Sequence, residues 1–305
     1  MDNLCHTLVG AACGEAGLKR ATRWGNPVLM IAANLPDVDV LAFATDTPAV
    51  ALRRGWTHGV LAQALLPILL TAVVVALDRW WPASDGRSRV RVGPVLLLCY
   101  VGVLSHVGLD WLNTYGVRLL MPFSNRWFYG DSVFIVDPWL WLSLGIGVFL
   151  ARRSGRPTRA AMALVVAAFY IVAMVASARL ARAHVLEQWT QQSGVASTSV
   201  MVGPSIVNPL IRSVIIDAGD HYRYGMYDVL SAQLSLGDAT VWKNETHPAV
   251  LRARDDPRFR AVLIWARFPY YEIETQPGGA RVRLADMRFG PRVGSVSTVV
   301  SSTPQ

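Results

Sequence analysis

Six residues, Asn34-Leu35-Pro36-Asp37-Val38-Asp39, set two carboxylates and a helix breaker inside an apolar run from Pro27 to Ala44. A carboxylate in hydrocarbon costs about 2.5–3.5 kcal/mol on insertion scales, and a bound cation is the simplest compensation. The two acids are spaced i, i+2, which sends them to nearly opposite sides of a regular helix. Pro36 allows an irregular turn instead, so that one Asp ligates while the other orients a ligating histidine. Helix capping at a membrane boundary is the plainer alternative. Further along, His106 and Asp110 are spaced i, i+4 and share one helix face. Their reach suits zinc, which takes imidazole nitrogen and carboxylate oxygen at about 2.0–2.2 Å. A His–Asp hydrogen bond inside a bundle is the competing reading. His58 stands at the head of an apolar run, and His6 lies within the first one. Asp37 is the candidate for orienting an attacking water or a ligand. Two arginines can meet a phosphate: Arg54, and Arg126 within the aromatic loop Met121 to Asp131. Asp131 is either a site residue or a turn residue. Asp137 before Pro138 reads as a helix N-cap. His184, His221 and His247 lack ligand spacing and read as solvated. Cys5, Cys13 and Cys99 form no zinc-ribbon pattern and read as small core residues.

These residues need elements to hold them at one level. Of 305 residues, 52% are hydrophobic and only 16% charged, too apolar for an ordinary soluble enzyme. Eleven tryptophans suit a membrane–water boundary. The net charge of +8 sits mostly in short loops between apolar runs, so it speaks for membrane orientation rather than nucleic-acid binding. Spans are expected over Pro27–Ala44, Val60–Leu77, Pro94–Leu112, Phe134–Leu150 and Ala160–Ala178, the last continuing as a helix towards Gln192. Leu4–Leu18 is either a short tilted span or a half-inserted helix, giving five or six membrane segments. Three loops, after Leu18, Leu77 and Leu150, hold eleven basic residues, against four in the alternate loops. The positive-inside rule makes the first set cytoplasmic. Asp37, Asp39, His58, His106 and Asp110 then all approach the outer face, joined by His6 if the first segment crosses. That convergence is the strongest signal in the chain.

After Gln192 the composition changes. Thr246–Asp255 reads as a short helix, Arg260–Glu274 and Ala280–Phe289 as strands, and 291–305 as a disordered tail. The expected fold class is therefore mostly α: a polytopic transmembrane helical bundle over residues 1–182, with a small extracytoplasmic α+β domain over 183–290.

With these residues in view, the first 180 or so resemble the LexA-regulated, membrane-bound metal-dependent hydrolase family (YdjM-like). The likeness rests on His6-Thr7, Asn34 to Asp39, Arg54-Gly55-Trp56-Thr57-His58, Ser105-His106 and Leu109-Asp110. Asn113-Thr114-Tyr115-Gly116, Phe123-Ser124, Trp127 and Asp137-Pro138-Trp139 complete it. That family is in turn distantly similar to zinc-dependent phospholipase C and the P1-type nucleases, helical proteins with multinuclear zinc sites acting on phosphate esters. The resemblance implies His6, Asp39, His58, His106 and Asp110 as metal ligands, with Asp37 a ligand or a group behind one. No histidine falls between His106 and His184, so one or two zinc ions are expected rather than three.

The resulting expectation is a metal-dependent hydrolase of a bacterial inner membrane, cleaving an ester or phosphoester, with a lipid as the natural substrate and no nucleic-acid partner. Arg54, Arg126 and Asp131 are the expected substrate contacts. Two rivals remain: a transporter or ion-conducting protein, since intramembrane Asp and His also mark ion pathways, and a non-catalytic anchor presenting the outer domain.

Overall fold

The computed structural model describes residues 1–81, 89–197, 199–291 and 293–301. Arg87 of the second basic loop and the end of the expected tail, 302–305, lie outside the described residues. The chain divides into two compact units: Met1–Asp39 with Arg54–Ala176, and Val40–Arg53 with Ser177–Gln305.

The first unit is helical. Asp2 caps α1 (Asn3–Glu15), its carboxylate accepting the Leu4 and Cys5 N–H groups at 3.0 and 3.2 Å. α2 (Gly25–Ala32) is followed at a 47° bend by a 3-10 helix, Leu35–Ala44. Pro36 accounts for the break, because it cannot donate into the preceding turn. α3 (Ala49–Leu52) belongs to the second unit. α4 (Val60–Trp80) and α5 (Val92–Trp111) form an antiparallel pair. His58 meets Asp110 at one end, and Asp78 accepts the Val90 N–H at the other. α6 (Pro138–Ser154) starts at the Asp137 cap, whose carboxylate accepts the Trp139 and Leu140 N–H groups at 3.1 Å, as the Asp-Pro pair predicts. α7 (Pro157–Ser193) runs through both units.

Three helices, α4, α5 and α7, are long and apolar enough to cross a membrane, or four spans if the bent pair Gly25–Ala44 counts as one. That is fewer than the five or six expected. At about 1.5 Å per residue, the 13 residues of α1 and 17 of α6 fall short of a hydrocarbon core about 30 Å thick.

Lipid tails are as apolar as leucine, so packing here rests on close approach rather than on water release. Gly102 is where that matters most. A Cβ there would lie 2.4 Å from the Ala32 Cβ, so α2 and α5 can meet only because it is absent. Val28, Leu29, Val95, Leu98 and Cys99 fill the layer beside it, and Cys5, Ala12, Leu109, Leu140 and Leu144 bind α1, α5 and α6.

The second unit is α+β. β1 (Ser199–Pro204), β2 (Ile211–Asp217), β3 (His221–Asp228) and β4 (Gln233–Trp242) form an antiparallel meander, with Val200 opposite Ile216 and Arg212 opposite Tyr227. Ala181, Val185 and Trp189 of α7 pack on it. β5 (Pro269–Gln276), β6 (Gly279–Asp286) and β7 (Val296–Ser301) make a second antiparallel sheet. Its first hairpin turns at Pro277-Gly278, with Gly278 at φ 78°. α8 (Pro248–Ala253) and α9 (Pro257–Trp265) cover it.

Two expectations are corrected here. Arg260 to Trp265 is helical rather than strand, because Asp256 caps α9 and Pro257 opens its first turn. Val296 to Ser301, expected to be disordered, pairs along β6 in register from Leu284↔Val296 to Gly279↔Ser301. The segment Val40–Arg53 also belongs to this unit: α3 packs on α9, and Val50 joins the core of Val250, Phe259 and Val262.

Candidate metal centre

Close packing of α2 on α5 has a direct chemical result. One turn after Gly102, the His106 Nδ1 lies 2.7 Å from the Ala33 carbonyl oxygen. A carbonyl only accepts, so Nδ1 carries the proton and Nε2 presents a lone pair. His58 is placed by a tight turn in which the Gly55 carbonyl accepts the His58 and Gly59 N–H groups at 3.0 and 2.9 Å. Its Nδ1 lies 2.9 Å from the Thr57 hydroxyl, which itself donates to Asp39 Oδ2 at 3.2 Å. With its one proton spent on Asp39, that hydroxyl accepts from Nδ1, and the Nε2 of His58 is again a lone pair.

The two Nε2 atoms face each other at 3.2 Å. Asp110 Oδ2 lies 3.1 Å from that of His58 and 3.3 Å from that of His106. Asp37 Oδ1 stands 3.9 Å from both. All four side chains are buried, and their ligand atoms fall within 4.8 Å of one another. A tetrahedral site with bonds of about 2.0–2.1 Å has edges of about 3.3–3.4 Å; the two Nε2 atoms and Asp110 Oδ2 match three corners of it, and Asp37 Oδ1 stands farther off. Without a proton or cation between them, two lone pairs at 3.2 Å repel. The arrangement therefore fits a divalent cation.

Around this group the remaining expected residues take separate places. Asp37 and Asp39 exchange the roles expected of them. Asp37 converges with the histidines, whereas Asp39 sits behind His58, its Oδ2 3.4 Å from Nδ1 and accepting the Arg54 N–H at 2.7 Å. The 3-10 geometry is the cause: at about 120° per residue, i and i+2 project in different directions. His6 stacks on His106 with ring centroids 3.7 Å apart, and its Nε2 is 3.3 Å from Asp110 Oδ1. Neither His6 nitrogen finds a hydrogen-bond partner among the described residues. Arg54, expected to meet substrate, is buried. Its guanidinium pairs with Asp110 Oδ1 at 3.1 Å, donates to Asn113 Oδ1 and the Met1 carbonyl, and lies over the Tyr115 ring. The Met1 amino group also contacts Asp110 Oδ1. Arg126 is exposed and lies over the ring of Phe128, while Asp131 adopts a left-handed turn conformation (φ 48°). Neither belongs to the converging four.

Three supporting groups escaped the sequence reading: the Ala33 carbonyl, the Thr57 hydroxyl and Asn113. Asn113 Oδ1 accepts from Arg54 at 3.1 Å and from the Tyr115 N–H at 2.9 Å. Its place one turn after Asp110 was visible. A backbone carbonyl carries no sequence signal at all.

Residues 1–181 match the family described as YdjM inner membrane protein. Among curated proteins, the chain is similar to the uncharacterized protein YfhP of Bacillus subtilis (strain 168), 24% identical over 193 residues, or 60% of this chain. The match spans 56% of that protein, so the chain covers little more than half the length of its relative. No solved structure matches.

Proposed function

The chain belongs to the YdjM inner membrane protein family, and on that premise we propose that it is a membrane-bound, metal-dependent hydrolase of ester or phosphoester bonds. Asp37, His58, His106 and Asp110 would hold a divalent ion, zinc by the character of the donor set. The observation that carries this reading is the pair of histidine lone pairs held face to face at 3.2 Å by hydrogen bonds on their opposite nitrogens. When bound, such an ion supplies an activated water and polarises the bond to be cleaved.

The protein's own groups divide the remaining work. Thr57, Asp39 and the Ala33 carbonyl fix the tautomers and keep the rings aimed. Arg54 neutralises Asp110 Oδ1, so that face is already occupied by positive charge, and a single ion is the arrangement the charges favour. Asp37, at the longest distance from the histidines, is the carboxylate placed to hold a water or take its proton.

Asp37 also lines a cleft of about 460 Å³ with Met30, Ile31, Leu35 and Val38, between α1 and the bent pair. Its walls are mostly apolar, and Ile31 and Val38 are exposed. A bilayer lipid offering an ester or phosphate to the ion and an acyl chain to the cleft suits it. By the positive-inside rule the centre would face the outer side of the inner membrane, together with the C-terminal domain.

Detergent-purified protein should contain stoichiometric metal, lost in His58→Ala, His106→Ala and Asp110→Ala. It should hydrolyse members of a phospholipid and phosphodiester panel in a chelator-sensitive way. Full metal content in all three variants, or no chelator-sensitive turnover of any substrate, overturns the reading.

A further inference from the structure

The far end of the α4/α5 pair is built for the opposite charge. A cavity of about 360 Å³ is lined there by Arg20, Thr22, Arg23, Arg89 and Arg91. Asp78 is already committed. It pairs with Arg23 at 2.5 Å and accepts the Trp24 indole N–H at 3.3 Å and the Val90 N–H at 3.1 Å. Arg20, Arg89 and Arg91 have no acidic partner among the described residues, so the described lining carries an excess of guanidinium charge.

Two buried polar atoms in its lining, the Thr22 hydroxyl and the Arg23 Nε, lack hydrogen-bond partners among the described residues. A buried donor left unmade costs about 1–3 kcal/mol, and an acceptor that enters the cavity relieves that cost. Depth identifies that acceptor. The cavity lies where the 21-residue apolar helix α4 ends, and Trp80 and Trp81 beside it are 77% and 71% exposed, as indoles at headgroup level are.

We infer that this cavity is a binding site for a phosphate group, supplied by the headgroup of an anionic phospholipid in the leaflet on that side. Planar guanidinium groups match phosphate bidentately, the Thr22 hydroxyl and Arg23 Nε donate to its oxygens, and the tryptophans flank the glycerol region. This site is independent of the metal centre.

The test uses the full-length protein in nanodiscs of phosphatidylcholine containing a minority of phosphatidylglycerol or cardiolipin, with retained lipid counted by native mass spectrometry. Arg20→Gln/Arg89→Gln/Arg91→Gln should retain anionic lipid about 100-fold less well, since three charges at roughly 1 kcal/mol each are lost. Ala21 also lines the cavity, and Ala21→Trp, which fills it and keeps every charge, should do the same. A control of equal charge, Arg153→Gln/Arg156→Gln/Arg159→Gln, should retain it as the unaltered protein does. Equal loss in the control, or full retention in both cavity variants, overturns the proposal. Inorganic phosphate supplied as competitor separates the sources: failure to displace the lipid supports a headgroup site, and displacement at millimolar concentration rules the headgroup out in favour of a soluble phosphate.

Discussion

Asp78 and Asp110 sit at opposite ends of one antiparallel helix pair, both buried, and meet burial in different ways. Asp78 is complete: an arginine, an indole N–H and a backbone N–H supply its partners. Asp110 is divided. Oδ1 has its arginine, but Oδ2 faces two imidazoles whose protons point away. The first is the signature of a structural carboxylate, and the second suits one that could hold a cation. Burial alone does not separate them; the inventory of protons around each oxygen does.

Asp110→Asn should break this contrast hardest. Metal affinity should fall by more than the ~10–100-fold expected of a residue that merely orients a ligand, as read by metal content after dialysis. Thr57→Val leaves all four donors in place and removes only the hydroxyl that fixes the His58 tautomer. Its affinity should drop within that ~10–100-fold range, and an unchanged affinity would refute the tautomer argument. Asp78→Asn should leave metal content untouched while lowering thermal or denaturant stability by about 1–3 kcal/mol, because Arg23 loses its charge partner. The smallest effect is expected in the second unit. Asp256 caps α9, and its hydrogen bond and charge pairing with Arg258 hold its carboxyl down at about 2, from the ordinary 3.8. A depressed acid contributes stability above its unfolded value and loses it as pH falls from about 4 to about 2. Asp256→Ala should cost about 1 kcal/mol at neutral pH and flatten that acid limb of the stability profile.

How much of this was legible beforehand follows the same physics. The His106/Asp110 pair and the Asp137 cap were readable because helix periodicity and capping are local. The order of Asp37 and Asp39 was not, since it depends on a 3-10 turn and on Arg54 and Thr57 arriving from another segment. Arg54 read as a substrate contact because nothing local shows that Asp110, distant in sequence, claims its guanidinium. Strand β7 was missed for a like reason: Ser, Thr and Val alternate equally well in a tail, and only pairing with β6 distinguishes them.

The excursion from Asp39 to Arg54 carries one more implication. The Arg54 N–H closes on the Asp39 carboxylate at 2.7 Å, so the doorway through which the chain departs and returns is latched at its own posts. Whatever hangs beyond that latch, here Val40–Arg53 built into the second unit, can be lengthened, shortened or exchanged while the doorposts keep their spacing. The family's helical core could thus acquire different attachments without re-inventing its chemistry.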